Sequence, residues 1–212
     1  MNYTREQLIK DVNEAERLLI GIGKEFFNID DLNHEVKDAY DKLSIFIKDK
    51  EYFVITLATD DLIYNSSFDK ERIVAPCGSI NRYQCTNNCE NRIFTCDEYK
   101  KQEVCPVCGE PLVNNTVEAV TYNEEGYLGD WQKYTRFLQG TLNKKTVLLE
   151  LGVGMQFPQI IRFPFEKTCF YNNKATFYRI NKSFSQLPVE IVDKAYEVNT
   201  NAVAFCRNEF VL

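Results

Sequence analysis

The chain has 212 residues, 44% of them hydrophobic and 26% charged, with nine Gly and six Pro. This suffices for one well-buried domain, or one carrying a small insert, and gives no support to a disordered or low-complexity class. The formal charge is -6 and no run of five basic residues occurs. A dedicated nucleic-acid binder needs a basic stripe to neutralise phosphates, so that class is set aside.

Met1 to Lys10 is polar and mixed in charge, unlike a signal peptide, and the apolar stretches are short and interrupted. None approaches the roughly 20 residues of a membrane helix. The expectation is a cytoplasmic protein, no membrane partner, and reduced thiols. Eight cysteines then need a reason other than disulfides, and six of them lie from Cys77 to Cys108.

In chain order, Thr4 and Gln7 predict a capping box, and Leu8, Ile9, Val12, Ala15 and Glu16 follow a helical period. Leu18-Leu19-Ile20 reads as a strand running into Gly21-Ile22-Gly23. Glycines after a strand let backbone approach a phosphate closely; a tight turn after a core strand explains them equally well. Asp31 to Lys48 is expected helical, with Leu32, Val36, Ala39, Leu43 and Ile47 on one face. Tyr52 to Leu57 is unbroken and apolar, as in a parallel strand covered on both faces. Trp131 to Leu138 reads as helix. Thr146 to Leu151 reads as a strand entering Gly152-Val153-Gly154. Ala175 to Ile180 is a further strand before Asn181, and Val189 to Tyr196 is expected to open a last helix. Alternating strands and helices predict an α/β fold built on an open, Rossmann-like parallel sheet.

Cys85-x3-Cys89, fifteen residues, then Cys105-x2-Cys108 is the usual form of a four-thiolate zinc site. Pro106 restricts the second turn, and Gly109 permits the left-handed backbone that follows a ligand. Four thiolates leave no position for water, so Zn2+ here is structural. Cys96 reads as a bystander, and Cys169 and Cys206 as isolated buried thiols. The boundaries expected are a nucleotide-binding-type domain over 1–75 and 112–212, with a zinc ribbon inserted at 76–111.

A Gly-x-Gly strand, the strand Tyr52 to Thr56, a four-Cys ribbon, and a second Gly-x-Gly strand before Asn181 occur in the order found in sirtuins. The segment Leu148 to Phe165, together with Phe68 to Arg72 and Tyr83-Gln84-Cys85, resembles the macrodomain-linked microbial class of that family. The resemblance implies a zinc-bearing Rossmann-like fold and NAD cleavage, used for lysine deacylation or for ADP-ribosylation of a lipoylated carrier. It also implies NAD or ADP-ribose contacts at Gly21, Gly23, Asp60, Gly152, Gly154 and Asn181.

Several family positions are altered. Glu25 stands where the family has Ser, and a carboxylate there repels a pyrophosphate. Ala58 replaces the ribose-binding Asn. Cys77 holds the position of the catalytic His, and reads as an inert small residue with no cationic cluster to depress its thiol. The only His, His34, falls in the expected helix. Only Lys24 to Lys50 separates Gly23 from Glu51, so the cofactor loop and much of the helical lobe are shortened. No catalytic residue is assigned. The expectation is a sirtuin-like nucleotide- or partner-binding module with impaired catalysis, covered by a protein partner or by a second copy as a homodimer. The alternatives are an active NAD-dependent transferase or deacylase, and an unrelated zinc-ribbon interaction protein.

Overall fold

The structure is a computed structural model and describes residues 2–27 and 33–210. Helix α1 (Arg5–Glu14) starts at Thr4, whose hydroxyl accepts from Gln7 N at 3.2 Å. The expected capping box is only half made: the Gln7 amide reaches forward to Asp11 Oδ1 instead of back to the cap. After α1 come β1 (Arg17–Ile22), α2 (Asn33–Phe46), β2 (Tyr52–Thr56), β3 (Ile73–Val74) and β4 (Gly78–Cys85). Asp31 and Leu32 of the expected second helix lie outside the described residues. Next are β5 (Ile93–Thr95), α3 (Cys96–Lys101), β6 (Leu112–Thr116), α4 (Leu128–Gln139) and β7 (Thr146–Leu151). The chain ends with α5 (Arg162–Tyr171), β8 (Ala175–Ile180), β9 (Ala195–Val198) and α6 (Ala202–Glu209).

Six strands form one parallel sheet in the order β3-β2-β1-β7-β8-β9. Alternate residues of each strand face opposite helical layers. Leu18, Ile20, Ile22, Val147, Leu149 and Leu151 meet Leu8, Val12, Tyr40, Leu43 and Phe205 of α1, α2 and α6. Leu19, Leu148 and Phe177 meet Tyr134, Ile161 and Phe165 on the other side. Burial on both faces explains the unbroken apolar runs in the sequence. β4, β5 and β6 make a separate antiparallel sheet, in which β6 runs from Leu112 to Thr116.

The predicted helix at Val189 to Tyr196 does not form. Val189–Ile191 is a single tight turn, and Ala195–Val198 pairs with β8 at the edge of the sheet. The last helix, α6, starts later, with Asn201 Oδ1 accepting from Ala204 N. Helix α5 carries no expectation from the sequence; it begins in the segment quoted for its family resemblance.

One row across the second face is charged. Gly21, Glu150, Arg179 and Glu197 are neighbours on β1, β7, β8 and β9. Glu150 and Arg179 are fully buried. Arg179 Nε donates to Glu150 Oε1 at 2.6 Å and Nη2 to Glu150 Oε2 at 3.0 Å. Nη2 also donates to Glu166 Oε1 on α5 at 2.7 Å. Arg162 adds a contact to Glu150 at 3.5 Å and donates to the carbonyls of Val153, Phe184 and Gln186. Two guanidiniums thus neutralise two carboxylates and tie the loops after β7 and β8 to the sheet. Gly21 leaves the row empty on β1: a Cβ there would lie 2.4 Å from Ile161 Cγ2.

Removing one partner of a buried pair leaves the other charge desolvated and unmatched. Arg179→Met is expected to destabilise by about 3–5 kcal/mol in denaturant unfolding, and Glu150→Leu/Arg179→Met to recover part of that loss.

Candidate functional site

In an open α/β sheet, ligands bind outside the carboxyl ends of the strands, where the strand order reverses. Here that point lies between β1 and β7. The ladder continues past the strand ends: Gly23 N donates to Leu151 O at 2.8 Å, and Gly152 N to Ile180 O at 2.8 Å. A Cβ on Gly23 would lie 2.2 Å from Gly152 O and 2.4 Å from Val153 Cα, so no side chain fits. Gly152 has φ +66, a left-handed conformation that favours glycine. Asn181 is buried beneath the same loops, donating to Val153 O at 3.0 Å and accepting from Ser183 N and Phe184 N.

Gly23 and Gly152 therefore meet at this reversal point, and Asn181 flanks it through Val153 O, next to Gly154 in the same loop. Asp60 stands one strand away, in the loop after β2, where Oδ1 accepts from Leu62 N at 3.0 Å. Gly21 lies lower in the sheet, and its bare face serves packing against Ile161 and Phe165.

The space over Gly152 is filled by Glu25, part of a short turn that follows β1. A Cβ on Gly152 would lie 2.5 Å from Glu25 Cβ and 3.3 Å from Cδ. Glu25 Oε1 accepts from Lys182 N at 2.9 Å, and Oε2 accepts from Ala202 N at 2.6 Å. Ala202 is the first residue of α6.

Beside this point, a cavity of about 360 Å³ opens between the large sheet and the small one. Lys24, Phe27, Leu57, Cys77, Gln156 and Phe157 are among its lining residues. Burial pushes the Cys77 thiol up to about 12, against a weak opposing pull from Lys24. Cys77 is therefore a neutral thiol near pH 7. Ala58 is buried after β2, with its N–H donating to Thr56 Oγ1. His34 is exposed on α2 and does not line the cavity.

In the small sheet, Cys85, Cys89, Cys105 and Cys108 bring their sulfurs within 4.8 Å of one another. Individual Sγ···Sγ separations are 3.3 Å (Cys89–Cys105), 3.4 Å (Cys85–Cys108) and 3.6 Å (Cys85–Cys89). A tetrahedral ion with Zn–S near 2.3 Å sets its ligands about 3.8 Å apart, so the cluster fits Zn2+. Both turns are built for this. Asn88 N donates to Cys85 O, while Gly109, at φ +77, donates its N–H to Cys105 O. Backbone N–H groups of Cys108 and Val107 point at Cys105 Sγ and pull its thiol down to about 6. Beyond the cysteines the module's core is small: Phe94 and Leu112, flanked by the stacked rings of Tyr83 and Tyr99. A metal on these four thiolates would add cohesion that so few apolar side chains cannot supply. Cys96 lies outside the cluster, its thiol donating to Asn81 O.

Comparison with solved structures matches this architecture over nearly its whole length. One sirtuin, from work on substrate affinity, superposes with a TM-score of 0.65 at 15% identity, covering 97% of this chain and 96% of its own. A Sir2 protein bound to acetylated peptide gives 0.64 at 16% identity, with the same coverage. The chain has the sirtuin fold. No family model matches this sirtuin-like sequence. Two curated relatives do. A protein ADP-ribosyltransferase of Staphylococcus aureus is 23% identical over 205 residues, which cover 87% of this chain and 65% of that protein. A probable bifunctional ADP-ribose hydrolase/ADP-ribosyltransferase of Fusarium oxysporum f. sp. cubense is 26% identical over 138 residues, 55% of this chain and 23% of that protein. The sirtuin-like chain thus spans less than two thirds of either relative. Among the described residues, no helix is long and apolar enough to cross a membrane.

Cys105→Ser should abolish stoichiometric zinc, measured by atomic absorption. It should also unfold the small sheet, because losing the ion removes on the order of 10 kcal/mol that a four-ligand structural site supplies.

Proposed function

We propose that this sirtuin-like protein is a nucleotide- or partner-binding module that does not turn over NAD. The observation that carries the reading is the cavity beside the β1–β7 reversal. Where NAD chemistry needs a proton acceptor and a ribose-fixing amide, the chain offers the neutral thiol of Cys77 and the methyl of Ala58. His34 stands elsewhere, on α2. General acid–base chemistry needs a group within hydrogen-bond reach whose pKa lies near the working pH, and a thiol near 12 is poorly matched to that task.

The adenosine side supports retention of a binding role. Gly23 and Gly152 bring backbone together at the reversal point with Gly154 next in the loop, Asn181 holds that loop through Val153 O, and Glu25 takes the space over Gly152. These residues, with Asp60 in the loop after β2, are the proposed contacts for NAD or ADP-ribose. Gly21 acts by letting α5 close on the sheet. Zn2+ on the four cysteines holds the small sheet in place against the cavity and takes no part in chemistry.

Exposed Phe163, Phe170, Tyr171 and Leu142 supply apolar surface suited to a protein partner or a second copy. A second reading, an active NAD-dependent ADP-ribosyltransferase, draws on the printed names of the two curated relatives.

Incubation of the zinc-loaded protein with NAD, followed by chromatography of free nicotinamide, separates the two. The module reading expects release at the rate of NAD alone. Release well above that rate, lost in Gly23→Glu, would establish the transferase reading instead.

A further inference from the structure

We infer that Glu25 is an internal anion that occupies the phosphate position at the β1–β7 reversal and controls which ligands this edge accepts. The inference rests on the reading of this edge as a ligand site and adds how that site is closed. Three observations carry it.

First, an anion is already bound there. The Glu25 carboxylate accepts from two backbone N–H groups on separate segments, Lys182 after β8 and Ala202 at the start of α6. Backbone donors converging at the start of a helix are the usual cradle of a phosphate oxygen, and a carboxylate presents the same charge and acceptors. Second, the room is taken. The space left bare by Gly152 is filled by the Cβ, Cγ and Cδ of Glu25, at distances a Cβ could not tolerate. A phosphate group cannot share it. Third, the tether is short. Glu25 follows Gly23 by two residues, and Gly23 is pinned against Gly152 O and Val153 Cα, so the carboxylate stays over Gly152 unless the turn itself moves.

A nucleoside diphosphate must therefore displace an intramolecular carboxylate from two charge-assisted hydrogen bonds and accept its charge nearby. Ligands without phosphates, or segments of a partner protein that enter the adjoining cavity, meet no such competitor. Glu25 thus selects against phosphate-bearing ligands while the carboxylate is seated.

Calorimetry with ADP-ribose and with inorganic pyrophosphate, on zinc-loaded wild type, Glu25→Ser and Glu25→Gln, tests this. Glu25→Gln keeps the shape and one acceptor oxygen, so it guards against a variant that fails to fold; circular dichroism melts identify the folded variants. The expectation is ADP-ribose affinity raised about ten-fold or more over wild type in Glu25→Ser, which removes both bulk and charge, with Glu25→Gln, which keeps the bulk, falling between the two. Pyrophosphate should follow the same order. If wild type binds ADP-ribose as tightly as the variants, or if no folded variant binds it, the inference is overturned. Either result leaves the no-turnover reading standing, because that reading fails only on release of nicotinamide from NAD.

Discussion

The arrangement of this molecule depends on how closely the end of β1 approaches the end of β7. Gly23 lies so near Gly152 O that no Cβ fits between them, and Gly152 adopts a left-handed backbone to turn the chain away. This contact fixes the level at which the first and second halves of the sheet end. It brings the loops after β1, β7 and β8, and the start of α6, to one point. In other folds of this topology that point receives a ligand's phosphates. Here it receives the chain's own carboxylate.

Beneath it lies a layer of charge that holds the loops. Glu150 and Arg179 sit in the sheet interior, where desolvation would be prohibitive if either were alone. Arg162 and Glu166 complete the balance from α5, and Arg162 spends its remaining donors on the carbonyls of Val153, Phe184 and Gln186. The network stabilises little relative to an apolar core of the same volume, because burial opposes the attraction. Its effect is geometric: it sets the height of the loops around Gly154 and Asn181. The small module is independent of this network. It is held by two knuckles of cysteine, and it walls the cavity through Ile80, Thr116 and Val117. The four-cysteine cluster is therefore held by contacts separate from those that shape the cavity around Cys77.

Much of the fold is legible in the sequence, for simple reasons. β7 and β8 coincide with their predicted ranges because both faces are buried and the apolar runs are unbroken. The zinc ligands are legible because thiolate spacing is set by the reach of a tight turn. Other parts are not. The Ala195–Val198 edge strand overlaps the Val189 to Tyr196 segment expected as helix, because a short segment after a tight turn fits either period. Glu150 and Arg179 look like solvent-facing residues within apolar strands until the register sets them side by side. Gly21 and Gly23 read alike in sequence, yet one accommodates a helix and the other a loop, a difference that only tertiary contact decides. The repulsion expected of Glu25 is readable from its charge; its two backbone partners, more than 150 residues away, are not.

With Glu25 seated over Gly152, the reversal point of the wild-type protein disfavours the phosphates of NAD. The most direct measurement is an amide NMR titration of zinc-loaded wild type with NAD, following Gly152, Lys182 and Ala202. These resonances should move only at NAD concentrations about ten-fold or more above those that shift them in Glu25→Ser. Saturable shifts of all three in wild type at the concentrations that suffice for Glu25→Ser would contradict this.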